Sequence, residues 1–191
     1  MPQYYRMSML YTTGEITLFS RMLCFTLLTL LCCGFTSAEV FPARSSSFSG
    51  EYGGGGGKRF SHSGNQLDGP ITAIRVRTSR SYITGIQVRY GKEWSEYQGG
   101  SDGDLEEIFL QPGESVIRVQ GKYRSYLCQL VFITDKGRNL PFGKDRGTRF
   151  NAAPMYPGTV LRYISGSSGS AINAIGFYWD NYPSSCPSCG K

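Results

Sequence analysis

The stretch Ile74-Arg75-Val76 recurs as Ile117-Arg118-Val119 and again as Leu161-Arg162-Tyr163, at spacings of 43 and 44 residues. Neighbouring side chains of a β-strand point to opposite faces, so each copy predicts a strand with apolar residues facing a core and arginine facing solvent. Repetition at a fixed period indicates one structural unit that is built three times.

A second strand follows each copy after a polar loop. These second strands are Gly85-Ile86-Gln87-Val88, Gln129-Leu130-Val131-Phe132 and Ala174-Ile175-Gly176-Phe177. The repeated unit is therefore a β-hairpin, and the 25 glycines and many turn residues favour an all-β domain. Additional strands are predicted at Ser95–Tyr97, Glu106–Leu110 and Leu140–Phe142.

Three hairpins with strands between them predict three small antiparallel sheets around a shared core, with threefold pseudosymmetry. The hairpin loops would then emerge at equivalent ends of the domain, where a rigid sheet can present binding residues. These loops are Thr78–Thr84, Gly121–Tyr126 and Ser165–Asn173.

An apolar run of about a dozen residues, Leu23–Phe35, follows Arg21 and ends in Thr36-Ser37-Ala38. The run is shorter than the roughly 20 apolar residues of a transmembrane helix, so it predicts a secretory signal peptide. We interpret residues 1–38 as this signal, starting at either Met1 or Met22. The predicted organisation continues with a short segment over 39–50, one domain over 51–182 and a cysteine-containing tail over 183–191.

The chain contains six cysteines, three of which lie in the signal run. Cys186 and Cys189 lie in a Pro/Ser-rich tail, where a disulfide is favoured over a redox motif because no βαβ pattern surrounds them. Cys128 lies in an apolar run and is predicted to be a buried small hydrophobe.

The formal net charge is +6, and a basic secreted protein favours acidic polymers as partners. Nucleic acid is excluded by the compartment and by the lack of a recognition motif. We predict a polyanion-binding surface, with ordinary solvated charge as the alternative. Its residues are Lys58, Arg59, Arg75, Arg77, Arg80, Arg118 and Arg162, beside Lys122 and Arg124.

Little in the sequence indicates an enzyme. His62 is the single histidine and has no neighbouring ligand, so neither a zinc site nor a cofactor is expected. No nucleophile elbow marks a serine that could act with it. The acidic cluster from Asp102 to Glu107 is interpreted as a polar turn that leads into a strand.

The run Gly53–Gly57 can turn backbone N–H groups toward one point, without side chains in the way. A flexible linker is the alternative interpretation of this run. The third hairpin loop, Ser165–Asn173, is rich in small hydroxyl residues.

Several stretches resemble the jacalin-related lectins, and within them the animal branch of zymogen granule protein 16 lectins. The similarity extends from about Arg44 to Cys189. It is carried by Ser45–Tyr52, Lys58–Pro70 (continuing as Ile71-Thr72-Ala73-Ile74), Gly103–Leu110 and a late Gly-X-X-X-Asp-like motif at Gly169–Asn173. The resemblance implies a β-prism of three four-stranded Greek-key sheets, which agrees with the repeat.

The resemblance also implies the residues of a carbohydrate site. In the family a mannose-type sugar binds between the glycine loop, the second hairpin loop and the Gly-X-X-X-Asp loop. The corresponding residues here are Gly54, Gly55, Gly56, Gly57, Lys122, Tyr123, Arg124, Gly169, Ser170, Ala171, Ile172 and Asn173. Tyr123 would stack on the sugar, and Lys122 or Arg124 would set selectivity.

Asn173 stands where the family has Asp. An amide accepts through one oxygen and carries no charge, so we expect sugar binding weaker by about 1 to 2 kcal/mol, or roughly ten- to thirtyfold.

Two hypotheses follow. The first is a secreted, metal-free lectin for mannose-type glycans. The second is a secretory-granule scaffold protein whose basic face binds sulfated proteoglycans and whose sugar site is weakened. The resemblance adds bacterial cell-wall polymers and the granule membrane, contacted peripherally, as partners.

Overall fold

The computed structural model describes residues 44–181, and the predicted signal peptide and cysteine-containing tail lie outside this range. The described chain forms thirteen strands and one short 3-10 helix, Asn65–Asp68. The strands are β1 (Ser46–Gly53), β2 (Lys58–Ser61), β3 (Ile71–Thr78), β4 (Ile83–Tyr90), β5 (Glu93–Trp94), β6 (Gln98–Gly99), β7 (Asp104–Phe109), β8 (Val116–Tyr123), β9 (Leu127–Thr134), β10 (Asn139–Gly143), β11 (Thr148–Ala152), β12 (Val160–Ser168) and β13 (Ile172–Asp180). The all-β prediction is confirmed.

Three antiparallel sheets make up the domain. Sheet A has the order β1-β13-β12-β2, sheet B has β5-β4-β3-β7, and sheet C has β10-β9-β8-β11. Sheet B differs from the predicted four strands because its edge position is divided between β5 and β6, which both pair with β4. Each sheet is a Greek key built on a central hairpin, and the three-sheet β-prism is confirmed.

Sheet A is assembled from both ends of the described chain. β1 pairs with β13 from Ser46 opposite Asp180 to Gly53 opposite Ala174. The sheet therefore begins at Ser46, five residues before the boundary expected at Glu51. Because β1 and β2 border the central hairpin β12–β13, the glycine run between them lies against the last hairpin of the chain.

The three central hairpins share two β-bulges at equivalent positions. The extra residue of the first bulge is Thr72 in sheet B, Ile117 in sheet C and Arg162 in sheet A, at intervals of 45 residues. The extra residue of the second bulge lies on the second strand of each hairpin and is Thr84 in sheet B, Cys128 in sheet C and Asn173 in sheet A. A bulge leaves its extra residue outside the ladder, which shifts the alternation of the side chains.

These bulges correct the register of the repeat that the sequence predicted. The residues that occupy equivalent places are Ile74, Val119 and Ile164, all buried, rather than Ile74, Ile117 and Leu161. Ile117 is itself a bulge residue with 38% of its surface exposed, so its predicted inward orientation is wrong. The repeat of the second strands was predicted in the correct register.

The strand predicted at Ser95–Tyr97 is also wrong, because this segment separates β5 from β6. Ser95 donates its N–H to the Val88 carbonyl at 2.9 Å, and its hydroxyl accepts from the Val88 N–H at 3.2 Å. A side chain thus replaces one backbone partner and interrupts the ladder. The three hairpin loops are shorter than predicted because β12 extends to Ser168, β8 to Tyr123 and β4 begins at Ile83.

The core lies between the three sheets and consists of branched and aromatic side chains from all of them. Trp179 and Phe177 from sheet A, Phe132 from sheet C and Ile86 from sheet B are fully buried. Tyr52 stacks on Phe150 across the boundary between sheets A and C, with ring centroids 4.3 Å apart. Burying side chains of this size stabilises the fold by about 1.5 to 3 kcal/mol each.

One backbone crossing occurs at the same end of all three sheets. A loop glycine at Gly53, Gly99 or Gly143 covers the carbonyl of the second bulge residue so closely that a Cβ would overlap that oxygen. The following residue donates its N–H to the same carbonyl, at 2.9 Å for Gly54, 2.8 Å for Gly100 and 2.8 Å for Lys144. We call this end of the domain the loop end.

Replacing Gly99 by Ala should lower the free energy of unfolding by about 3 kcal/mol, because the residue has φ +105° and its Cβ would overlap the Thr84 carbonyl. Gly64→Ala is the matched control, since Gly64 has φ −70° and its Cβ would meet open space. The control should stay within about 0.5 kcal/mol in urea unfolding. Equal losses in the two variants would contradict this view of the crossing.

Candidate carbohydrate-binding site

The loop end presents one backbone arrangement three times with three different tips. A second glycine with positive φ, at Gly57, Gly103 or Gly147, closes each loop. Between the crossing and closing glycines lie Gly54-Gly55-Gly56 in sheet A, Gly100-Ser101-Asp102 in sheet B and Lys144-Asp145-Arg146 in sheet C. The glycine loop of sheet A, Gly53–Gly57, is therefore the one whose tip carries no side chains.

Asn173 lies beneath this glycine loop and is 8% exposed. Its Nδ2 donates to the Gly55 carbonyl at 3.1 Å, and its own carbonyl accepts from the Gly54 N–H at 2.9 Å. Its Oδ1 is buried and has no hydrogen-bond partner among the described residues. A buried acceptor without a partner costs free energy, which a ligand hydroxyl could recover.

Gly57 and Gly169 both lie next to the Asn173 Oδ1. A Cβ on Gly57 would lie 2.7 Å from Oδ1, and a Cβ on Gly169 would lie 3.8 Å from it. The absence of side chains at both positions leaves space next to this acceptor. We use the term cradle for Gly54–Gly57, Gly169–Ala171 and Asn173. Ile172, which was also predicted to contact the sugar, is fully buried in the core and lies outside the cradle.

The second hairpin closes the cradle on the side of sheet C. A Cβ on Gly54 would overlap the Ser125 carbonyl, so this hairpin packs directly on the glycine loop. Ser125 was missed by the sequence prediction, because its contact depends on how sheets A and C meet. Arg124 is exposed beside it and is free to contact a ligand at the rim.

Tyr123 and Lys122 have other contacts. Tyr123 is partly buried and its ring packs against the core, with its centroid 6.3 Å from that of Phe150, so its stacking on a sugar stays a prediction. Lys122 forms an ion pair with Asp145, and this hydrogen bond lowers the pKa of the Asp145 carboxyl. The pair leaves Lys122 with only 18% of its side chain exposed.

The predicted polyanion residues are distributed over several surfaces and do not share one face. On the outer face of sheet B, the Nε of Arg75 lies 3.2 Å from the Oε1 of Glu107, and its Cζ lies 3.8 Å from the centroid of the Trp94 ring. Arg77 on the same face donates to the Gly103 carbonyl. Arg118 is exposed on sheet C, and Arg162 lines a hollow at the end opposite the glycine loop. The sequence pattern placed them together because the repeat was read two to three residues out of register.

Three predicted residues do lie at the loop end. Lys58 follows Gly57 directly, and Arg59 forms a 2.7 Å ion pair with Glu51. Arg80 and Lys144 line a hollow of about 370 Å³ between sheets B and C. The cations at this end are therefore contributed by β2 of sheet A and by loops of sheets B and C.

The residues that could have supported an enzyme have structural contacts. His62 is 2% exposed with its Nδ1 3.2 Å from the Tyr90 hydroxyl, and burial lowers its pKa to about 4. In the acidic cluster, Glu106 accepts from Thr78 and Glu107 pairs with Arg75. Within residues 44–181, no group of three or more His, Cys, Asp or Glu side chains could hold a metal ion. Burial raises the pKa of the Cys128 thiol.

The profile of the jacalin-like lectin domain matches residues 49–178, which includes the cradle and all three sheets. The chain belongs to the jacalin-like lectin family. It is 70% identical to zymogen granule membrane protein 16 of Homo sapiens over 168 residues, covering 88% of this chain and 100% of the human protein. The rat protein of the same name is 69% identical with the same coverage.

Solved structures of other jacalin-like lectins share the fold. A prostate-specific WGA16 glycoprotein lectin is 38% identical, with a TM-score of 0.62 over 70% of this chain and 97% of that one. A mannose-binding jacalin-related lectin from Ananas comosus is 26% identical, with a TM-score of 0.59 over 72% and 99%. Within residues 44–181, no helix has the length and apolarity needed to cross a bilayer.

Asn173→Asp should loosen the glycine loop of this lectin domain, because a carboxylate cannot donate to the Gly55 carbonyl. Loss of a hydrogen bond worth about 1 kcal/mol should accelerate hydrogen exchange of the Gly54 amide, which donates to the Asn173 carbonyl, about fivefold. Asn151→Asp, on the exposed part of β11, makes the same charge change away from the loop. An unchanged exchange rate at Gly54 would show that the side-chain amide of Asn173 does not hold the loop.

Proposed function

We propose that this chain is a secreted, non-catalytic lectin that binds mannose-type glycans in the cradle. The proposal rests mainly on the Asn173 Oδ1, a buried acceptor without a partner among the described residues, beneath a loop tip free of side chains. A sugar presents hydroxyls that donate and accept at fixed spacing, which suits one amide oxygen surrounded by backbone groups. No metal has a role in this recognition.

The threefold pseudosymmetry provides an internal comparison for the site. All three loops need their crossing and closing glycines for backbone reasons, so Gly53 and Gly57 carry no functional information by themselves. Gly55 and Gly56 differ, because the equivalent positions in sheets B and C carry Ser, Asp or Arg. The fold therefore tolerates side chains at this tip. Their absence at Gly55 and Gly56 supports a ligand-binding role for the glycine loop.

The relatives are consistent with this proposal. The Ananas comosus lectin of the same fold is mannose-binding, and the human relative is 70% identical over its full length. The name of that relative supports localisation in the secretory granule, from which we infer passage through the granule lumen to the exterior. The predicted signal over residues 1–38 and disulfide between Cys186 and Cys189 belong to the same proposal.

Binding of single sugars should be weak. The cradle offers a sugar the Asn173 Oδ1 and backbone groups of the glycine loop, so its ligand contacts are hydrogen bonds. A net hydrogen bond contributes about 0.5 to 1.5 kcal/mol, so two or three of them correspond to millimolar affinity at best. Tighter binding requires contacts outside the cradle.

Gly169→Val is the direct test. The new side chain would point toward the Asn173 Oδ1, and nothing else in the described structure lies within 4 Å of its Cβ. We expect the affinity for methyl mannoside to fall at least tenfold in calorimetric titration, while the free energy of unfolding stays within about 0.5 kcal/mol. The control is Gly64→Val, at the other end of the domain. Unchanged mannoside binding in Gly169→Val would exclude the cradle.

A second candidate function is binding of sulfated proteoglycans, supported by cations on the rim of the cradle. Arg124 and Arg146 lie close enough to the Cys128 thiol to act electrostatically on its pKa. Lys122 and Arg149 act in the same way on the pKa of the Asp145 carboxyl. These four cations therefore lie near the β8–β9 hairpin. Lys58 lies on the opposite side of the glycine loop. Bacterial cell-wall polymers and the granule membrane, contacted peripherally, are further polyanionic partners of this rim.

The salt dependence of binding to a heparin-type chain tests this second function. Neutralising Arg124 and Arg146 together, as Arg124→Gln with Arg146→Gln, should reduce the slope of log affinity against log salt by about two, one for each released counterion. The control is Arg75→Gln with Arg77→Gln on sheet B, where both arginines already have protein partners. Equal loss of slope in the two double variants would contradict the assignment to the rim.

A further inference from the structure

The outer face of sheet A carries a row of three aromatic rings across adjacent strands. Phe48 on β1 is paired with Tyr178 on β13, which is paired with Tyr163 on β12. The ring centroids are 4.5 Å apart in the first pair and 4.2 Å apart in the second. Phe48 is 46% exposed, and we call these three residues the aromatic row.

The other two sheets show that the fold does not require this row. The equivalent positions hold Trp94, Arg89 and Ala73 in sheet B, and Asn139, Ile133 and Arg118 in sheet C. Trp94 is the single aromatic residue among those six, and it is already covered by Arg75. The same backbone therefore tolerates polar or aliphatic side chains, and exposed aromatic rings rimmed by polar groups are typical of an interaction surface.

Two hollows flank the aromatic row and share Tyr178. One, of about 410 Å³, is lined by Phe48 and Tyr163 together with the ion pair of Arg44 with Asp180. The other, of about 340 Å³, lies toward the loop end and is lined by Phe60, Ser61, Ser165 and the ion pair of Arg59 with Glu51.

The lining of both hollows has the chemistry that a sugar ring needs. Hydroxyl, carboxylate and guanidinium groups provide acceptors and donors for sugar hydroxyls. The aromatic side chains provide apolar contact for the C–H groups of the ring. A polyhydroxylated ligand is therefore favoured over a purely apolar one.

The aromatic row and the cradle belong to the same two strands. Tyr178 follows Asn173 by five residues along β13, which corresponds to about 17 Å at 3.3 Å per residue. The second hollow lies between them over small residues of the outer face. Gly176 is one of these, and a Cβ there would come within 2.7 Å of the Phe48 ring.

We propose that the outer face of sheet A binds the following sugar residues of a glycan chain whose first residue occupies the cradle. This inference rests on the proposed function of the cradle and adds an extended, multi-residue saccharide as the ligand class. Contacts along the outer face supply the affinity that the shallow cradle lacks.

The test compares methyl mannoside with linear mannose oligomers of two to five residues, using the full chain in calorimetric titration. The unmodified chain should bind the longest oligomer about tenfold or more tightly than the monosaccharide. Tyr178→Ala should abolish this gain and leave the monosaccharide affinity unchanged. Phe48→Ser, at a position nearly half exposed, provides a second variant should Tyr178→Ala fold poorly. Ile133→Ala, at the place in sheet C equivalent to Tyr178, is the matched control.

Retention of the length-dependent gain in both row variants would overturn the inference, as would equal affinity of the unmodified chain for all lengths. Equal affinity is also the result expected if a second copy of the chain covers the aromatic row. Failure of the proposed function has a different signature, in which methyl mannoside does not bind and Gly169→Val changes nothing.

Discussion

The architecture depends on the crossing of a loop glycine over the carbonyl of a bulged residue, made once in each sheet at the same end of the domain. The bulge turns a carbonyl out of the ladder, and the loop that returns to the sheet donates an N–H to it at 2.8 to 2.9 Å. No Cβ fits at the crossing point. This single constraint explains why glycine occurs at Gly53, Gly99 and Gly143, and it brings three loops to one end.

Function then follows from what differs between the three copies. Sheet A has a loop tip without side chains, a buried amide at the bulge and an aromatic row on its outer face, whereas the equivalent bulge residues elsewhere are Thr84 and Cys128. Thr84 donates its hydroxyl to two backbone carbonyls, and the Cys128 thiol is directed to the Tyr126 carbonyl. Of the three, Asn173 alone combines a structural hydrogen bond with an oxygen that remains available.

The two proposed functions make use of different physics at one end of the molecule. The cradle has no carboxylate among its residues and binds through short, directional hydrogen bonds, which salt barely affects. The rim cations act through long-range attraction that salt screens over about 10 Å at 0.1 M. A neutral amide at Asn173 makes the two compatible, because an acidic glycan meets no negative charge in the cradle while its anionic groups meet arginines around it.

The sequence by itself determined the class of fold and the threefold repeat, because alternating apolar residues and a recurring strand motif are local properties of the chain, and its resemblance to known lectins identified the family. It also singled out the glycine loop and Asn173, which the structure brings into contact. Only the tertiary structure decided the register of the first strands, since a bulge shifts every later side chain to the other face without leaving a mark in composition. The same holds for Tyr123, which turns to the core, for Ser125, which reaches the glycine loop across a sheet boundary, and for the arginines, which separate onto different faces. Such contacts join residues far apart in the chain, so their partners are fixed by how the sheets meet.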